Sequence, residues 1–148
     1  MLTTTLISLF ERDLNRVIHE LNQYQTEMNI WRIEKNISNS AGNLTLHLIG
    51  NLSTYIGKEI GKTDYIRNRP LEFSETNVSR DELIDKLNQT IIVIKNALTH
   101  MTDGDLSKEY PVLVFSEMTS TDYLLVHLTT HLAYHLGQIN YHRRLIDN

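Results

Sequence analysis

Residues 127–142 read HLTTHLAYHLGQINYH and hold four of the chain's seven histidines, His127, His131, His135 and His142. Residues four apart on a helix lie one turn apart on nearly the same face. Leu128, Leu132 and Ile139 flank His131 and His135, so that face points inward. Such a sequence demands a helix that carries imidazoles into a core, where buried polar rings need partners. His47 lies far upstream in a second helical stretch, LTLHLIGNL. One histidine from one helix and two from another supply three ligands and leave coordination positions open, as in a working metal site rather than a closed structural one.

The pattern leaves a choice of pair on the last helix. His127 and His131 are also four apart, and His127 reads equally as a ligand, a donor to a ligand or a polar wall residue. His142, seven residues beyond His135, has no assigned role. The pair His131/His135 is favoured because Gly137-Gln138 follows directly. A glycine inside a helix costs about 1 kcal/mol relative to alanine, which is tolerable where another backbone must come close. Gln138 can hold a metal-bound water or a neighbouring ring.

Four helical stripes account for most of the chain. The first runs from Leu2 to Tyr24, with Ile7, Phe10, Leu14, Val17 and Leu21 stepping by three and four. The second spans Ala41 to about Ile60, with Leu44, His47, Leu48, Asn51, Leu52 and Tyr55 on one face, weakened at its end by Gly57 and Gly61. A polar loop, GKTDYIRNRPLEFSETN, follows and is broken by Pro70. Ser79 and Glu82 form a capping box ahead of Leu83, Leu87, Ile91, Ile94 and Leu98. Asp103-Gly104 reads as a turn, Pro111 as a breaker and Val112–Phe115 as a short extended piece. Thr119 caps the last helix, with Asp122 three residues on, and that helix runs to about Leu145. The expectation is an all-α four-helix bundle. Its loops are long for simple up-down connections, so they cross over or cover one end and build a pocket.

At 148 residues the chain suits a single domain, 1–148, with one core. Net charge is −4 and the basic residues are scattered, which disfavours nucleic acid. Arg143-Arg144 suits the negative end of a helix dipole. No cysteine is present, so disulfides, thiolate metal sites and cysteine nucleophiles are excluded. The N-terminus lacks a signal-peptide pattern, and no apolar run approaches the roughly 18 residues of a membrane span. A soluble, cytoplasmic protein is expected, with no membrane partner.

Three neutral imidazoles suit zinc, nickel, cobalt or ferrous iron. HLTTH and HLAYH both lack a glutamate after the first histidine, which removes the zinc-protease helix motif. No Glu-x-x-His occurs, which removes the di-iron bundle pattern.

A helix-two histidine followed by HxxxHxGQ near the C-terminus resembles the DinB-like superfamily. LHLIGNL around His47, DYIRNRPLEF at residues 64–73, the SRDEL helix start and HLAYHLGQINYHRRL are similar to one bacterial branch of it, over essentially the whole chain. The resemblance implies a DinB/YfiT-like four-helix bundle, a metal held by His47, His131 and His135, and often a homodimer. Characterised relatives include bacillithiol S-transferases and mycothiol-dependent maleylpyruvate isomerase, which use the metal to activate a low-molecular-weight thiol.

The leading expectation is therefore a metal-dependent transferase that takes a small-molecule substrate and a low-molecular-weight thiol as cosubstrate, with zinc, nickel or iron bound. The metal would lower the thiol's pKa. Trp31, Tyr55 and Tyr134 are candidates for the lining, and Arg67 and Arg69 for an anionic substrate group. A second reading is a metal-dependent hydrolase using metal-bound water. It needs a base, and no carboxylate lies on the assigned inward faces, which leaves His127 or a loop residue such as Glu72. A third is a non-catalytic metal- or ligand-binding bundle whose metal stabilises the fold.

Overall fold

The computed structural model describes residues 1–148 and consists of helices and loops, with no strand. Six α-helices follow in order: α1 Leu2–Gln23, α2 Ala41–Leu52, α3 Arg69–Ser74, α4 Arg80–Leu98, α5 Asp103–Ser107 and α6 Thr121–Ile146. A 3₁₀ turn occupies Glu27–Trp31, and a π-helical segment, Ser53–Lys58, continues α2. The four longest helices surround one apolar core, α1 packing on α4 and α6, and α2 on the same two. Leu14 and Val17 of α1, Leu48 and Leu52 of α2, Leu83 and Leu87 of α4, and Leu124 and Leu132 of α6 are fully buried there. No helix is long and apolar enough to cross a membrane.

Every residue of α2 is buried, so polar side chains on this helix must find partners within the protein. Ser40 caps it by accepting from the Asn43 backbone N–H at 3.1 Å. Its continuation widens into π-type turns rather than fading at the glycines.

The connections carry more structure than their composition suggests. Pro70, expected to break the segment, instead starts α3. It sits in the first turn, where its missing N–H has no intrahelical partner to lose. Asn68 caps that turn by accepting from the Leu71 N–H at 3.2 Å. Asp103-Gly104 opens α5 rather than a simple turn, under a complete Thr102/Asp105 capping box. Ser79 does accept from the Glu82 N–H at 3.2 Å, but the Glu82 carboxylate turns to Lys86 at 3.6 Å, so only half of the expected box forms. Val112–Phe115 forms no strand, and the sole β-bridge joins Glu109 to Ser120. The N-cap of α6 is Ser120, because Thr119 spends its carbonyl on the Tyr110 N–H at 2.8 Å in that bridge. Near the C-terminus, Asp147 accepts from the Gln25 N–H at 2.6 Å and from Asn29 Nδ2 at 2.9 Å, pinning the end of α6 to the 3₁₀ turn.

Candidate metal centre

α2 and α6 bring His47, His131 and His135 together. His131 Nε2 lies 3.2 Å from His47 Nε2 and 3.1 Å from His135 Nε2. The three ligand atoms all lie within 4.8 Å of one another, close enough to hold a metal ion. The rings stand nearly perpendicular to one another, with interplanar angles of 73° to 87°. Metal–imidazole bonds of about 2.0–2.1 Å place tetrahedral neighbours about 3.3 Å apart, so the spacing fits a shared cation.

The outer ring nitrogens fix which inner nitrogens carry lone pairs. His47 Nδ1–H donates to Glu72 Oε1 at 3.0 Å, and His135 Nδ1–H donates to Gln138 Oε1 at 2.7 Å. Both neutral rings therefore aim a bare Nε2 at His131 Nε2, which can donate its one proton to only one of them. A cation satisfies all three. His131 Nδ1 is buried and has no hydrogen-bond partner.

Burial keeps the rings neutral, the form a metal requires. It pushes the His131 pKa down to about 4, helped by His135, His47 and His127. Burial also lowers His47, against the Glu72 bond, and His135, against the Gln138 bond.

Glu72 reaches the site from α3, not from a loop, and is buried. Arg67 grips it as a fork, Nε on Oε2 at 2.8 Å and Nη2 on Oε1 at 3.0 Å. Asn43 Nδ2 donates to the Glu72 and Glu75 carbonyls at 2.9 and 2.8 Å, fastening α3 to α2. The Phe73 ring lies 4.9 Å from that of His47. The role of Glu72 as an acceptor for His47 was not read from the sequence. The Asn68–Arg69–Pro70 start signal was the available clue, since it puts Glu72 in the first turn of a helix.

Other expected site residues fall elsewhere. Arg67 is committed to Glu72, with the Tyr55 ring 5.7 Å away, and Arg69 lies over Phe73 at 5.4 Å. The Arg67 fork is therefore not free for an anionic substrate as expected, whereas Arg69 is exposed and makes no hydrogen bond. Trp31 packs over Gly42 and donates from Nε1 to the Val78 carbonyl at 3.1 Å. His127 is half-buried against Phe115, at 4.7 Å between centroids, and outside the three-ring cluster. His142 is buried: Nε2–H donates to the Arg32 carbonyl at 2.8 Å, so Nδ1 accepts from the Tyr24 hydroxyl at 2.6 Å. Gly137 is exposed and a Cβ there would meet nothing within 4 Å, so no backbone approaches it. Arg143 pairs with the buried Glu20 at 2.7 Å rather than merely facing the helix dipole.

One wall of the centre opens onto a cleft of about 530 Å³, lined by His135, Gln138, Tyr134, Tyr141 and Leu44, with Asn36–Asn39 as the rim. It holds no carboxylate and no lysine or arginine.

A family model described as "Protein of unknown function (DUF1572)" matches residues 4–148. The crystal structure of a conserved protein from Enterococcus faecalis is similar at a TM-score of 0.77 and 19% identity, over 97% of this chain and 96% of that one. At that identity the likeness is one of fold. No curated protein matches the chain.

Proposed function

The chain belongs to the DUF1572 family, and we propose that it is a DinB-like metalloenzyme, a four-helix bundle that transfers a low-molecular-weight thiol to a small electrophile. His47, His131 and His135 are the residues we assign as ligands. Their three Nε2 atoms, converging at 3.1 and 3.2 Å with two outer nitrogens held by acceptors, carry this reading. A divalent ion held there would supply the positive charge that favours deprotonation of a thiol.

The chain's own groups have separate tasks. Glu72 and Gln138 orient His47 and His135, and so keep lone pairs turned inward. Tyr134, Tyr141 and Leu44 offer contact surface for a molecule of small size in the adjoining cleft. We assign to His127, which makes no ring hydrogen bond within the chain and stands one turn before His131, the task of taking the thiol proton at a ring nitrogen. The thiol sulfur then bonds to the electrophilic carbon as the leaving group departs. With no cysteine in the chain, that sulfur must be the cosubstrate's.

For hydrolysis, Glu72 is not available as the base, since both its oxygens already accept, from His47 and Arg67, which leaves His127. The same reading includes a homodimer. α6 leaves Tyr123 and Val126 exposed, clear of that cleft, as apolar surface suited to a partner.

Metal content by mass spectrometry tests the centre, on wild type beside His47→Ala and His131→Ala. Near one metal per chain, lost in both folded variants, is the expected result. Turnover of an aryl halide with cysteine or coenzyme A, abolished by His131→Ala, then separates the transferase from a non-catalytic metal protein. A wild type that takes up no zinc, nickel or iron overturns the reading.

A further inference from the structure

Two of the three clustered histidines have an acceptor for the outer nitrogen, and His131 has none. Its Nδ1 is buried and unpartnered, and so is Asn51 Oδ1. Asn51 is more than nine-tenths buried, at 7% exposure, and makes no side-chain hydrogen bond. A buried amide left unpaired costs free energy that packing alone does not return.

The register of α2 against α6 puts Asn51 and His131 on facing sides of the two helices. Asn51 stands four residues beyond His47, about 40° further round the helix and about 6 Å along it. Leu44, about 60° round in the same sense, lines the cleft with Tyr134, His135 and Gln138 of α6. Gly50 and Asn43 lie round in the opposite sense and meet Glu72 of α3. Asn51 is therefore on the α6 side of α2. The two helices run antiparallel: Leu44, before His47, sits with Gln138, while His47 meets His131. One turn on from His47, Asn51 falls towards the His127–His131 turn.

We infer that Asn51 is a positioning residue for His131: its Oδ1 accepts from His131 Nδ1–H, directly or through one buried water, when the three Nε2 atoms hold a metal. This completes a set in which each ring has its own outer acceptor, Glu72 for His47, Gln138 for His135 and Asn51 for His131. It rests on the metal reading above. The consequence is a fixed tautomer for His131, the ring whose burial is least offset by a hydrogen bond.

The test is zinc affinity by chelator competition for wild type, Asn51→Leu and Asn51→Asp, with ¹⁵N-histidine spectra and the Tm of each metal-free protein. Asn51→Leu is expected to weaken zinc about 10–100-fold, while Asn51→Asp, which keeps an acceptor oxygen, holds zinc within a few-fold of wild type. The zinc-loaded wild type shows a slowly exchanging His131 Nδ1 proton that Asn51→Leu loses. Unchanged zinc affinity in Asn51→Leu, or equal weakening in Asn51→Leu and Asn51→Asp, overturns the inference while leaving the metal centre standing. A wild-type His131 Nδ1 proton in free exchange with water overturns it without any variant. Wild type that binds no zinc sinks the metal reading and this inference together.

Discussion

The Glu72 carboxylate fills the space that a side chain on Gly50 would need: a Cβ at Gly50 would stand 1.9 Å from Glu72 Oε2. Gly50 lies one turn beyond His47 on α2, and Glu72 holds His47 Nδ1 from α3. The absent side chain thus lets a carboxylate from another helix reach a ring that it must orient. Asn43 holds the Glu72 backbone carbonyl, and the Arg67 fork holds the carboxylate itself.

Gly50→Ala is expected to push Glu72 away from His47. Overpacking of this kind costs about 1–3 kcal/mol, and loss of the outer acceptor weakens a metal about 10–100-fold. Urea unfolding and zinc titration on one preparation read both effects. A variant with wild-type zinc affinity would show that Glu72 does not act on the ring.

The two outer acceptors differ in worth because they differ in burial. Glu72 is buried and doubly held, whereas the Gln138 bond to His135 is exposed to water, which competes for it. Glu72→Ala is expected to cost more zinc affinity than Gln138→Ala, and Glu72→Gln, which keeps an acceptor oxygen, less than Glu72→Ala. Parallel titrations check the order, and a larger loss in Gln138→Ala reverses it.

His142 makes stability fall with acid. Burial holds its pKa below the ordinary 6.5, against the Arg32 carbonyl bond. As pH drops through that value the unfolded chain takes up a proton that the folded chain refuses, so the unfolded state gains. His47, His131 and His135 act with the same sign in metal-free protein. The metal-free Tm should fall between about pH 7.5 and 5, and His142→Gln, though less stable at the upper end, should show a shallower fall. Parallel slopes would assign the dependence to other groups.

Gly137→Ala should stabilise the protein. A Cβ there meets nothing within 4 Å, so alanine adds helix propensity worth about 1 kcal/mol without crowding a neighbour. Urea midpoints check the gain, and zinc affinity should stay at the wild-type value. Destabilisation would mean that this exposed turn is packed against something in solution.

The sequence determined what repeats locally. Apolar residues at steps of three and four fix α1, α2, α4 and α6 within a few residues, because each helix must turn one stripe away from water. The same periodicity put His131 and His135 on one face, and the position of His47 on an inward face followed from Leu44 and Leu48. What the sequence alone left open depends on contacts between distant segments. Pro70 reads as a breaker until α3 is seen to begin on it, and Glu72 then reaches His47 across 25 residues of chain. Arg67 looks like a free cation until Glu72 accepts its fork. Gly137, which seemed to invite a backbone, is open, while Gly50, which drew no notice, is closed by a carboxylate. Periodicity reports which way a side chain faces. Only the tertiary fold decides what stands opposite, because hydrogen bonds act over about 3 Å and the partners come from elements whose relative placement no local pattern encodes.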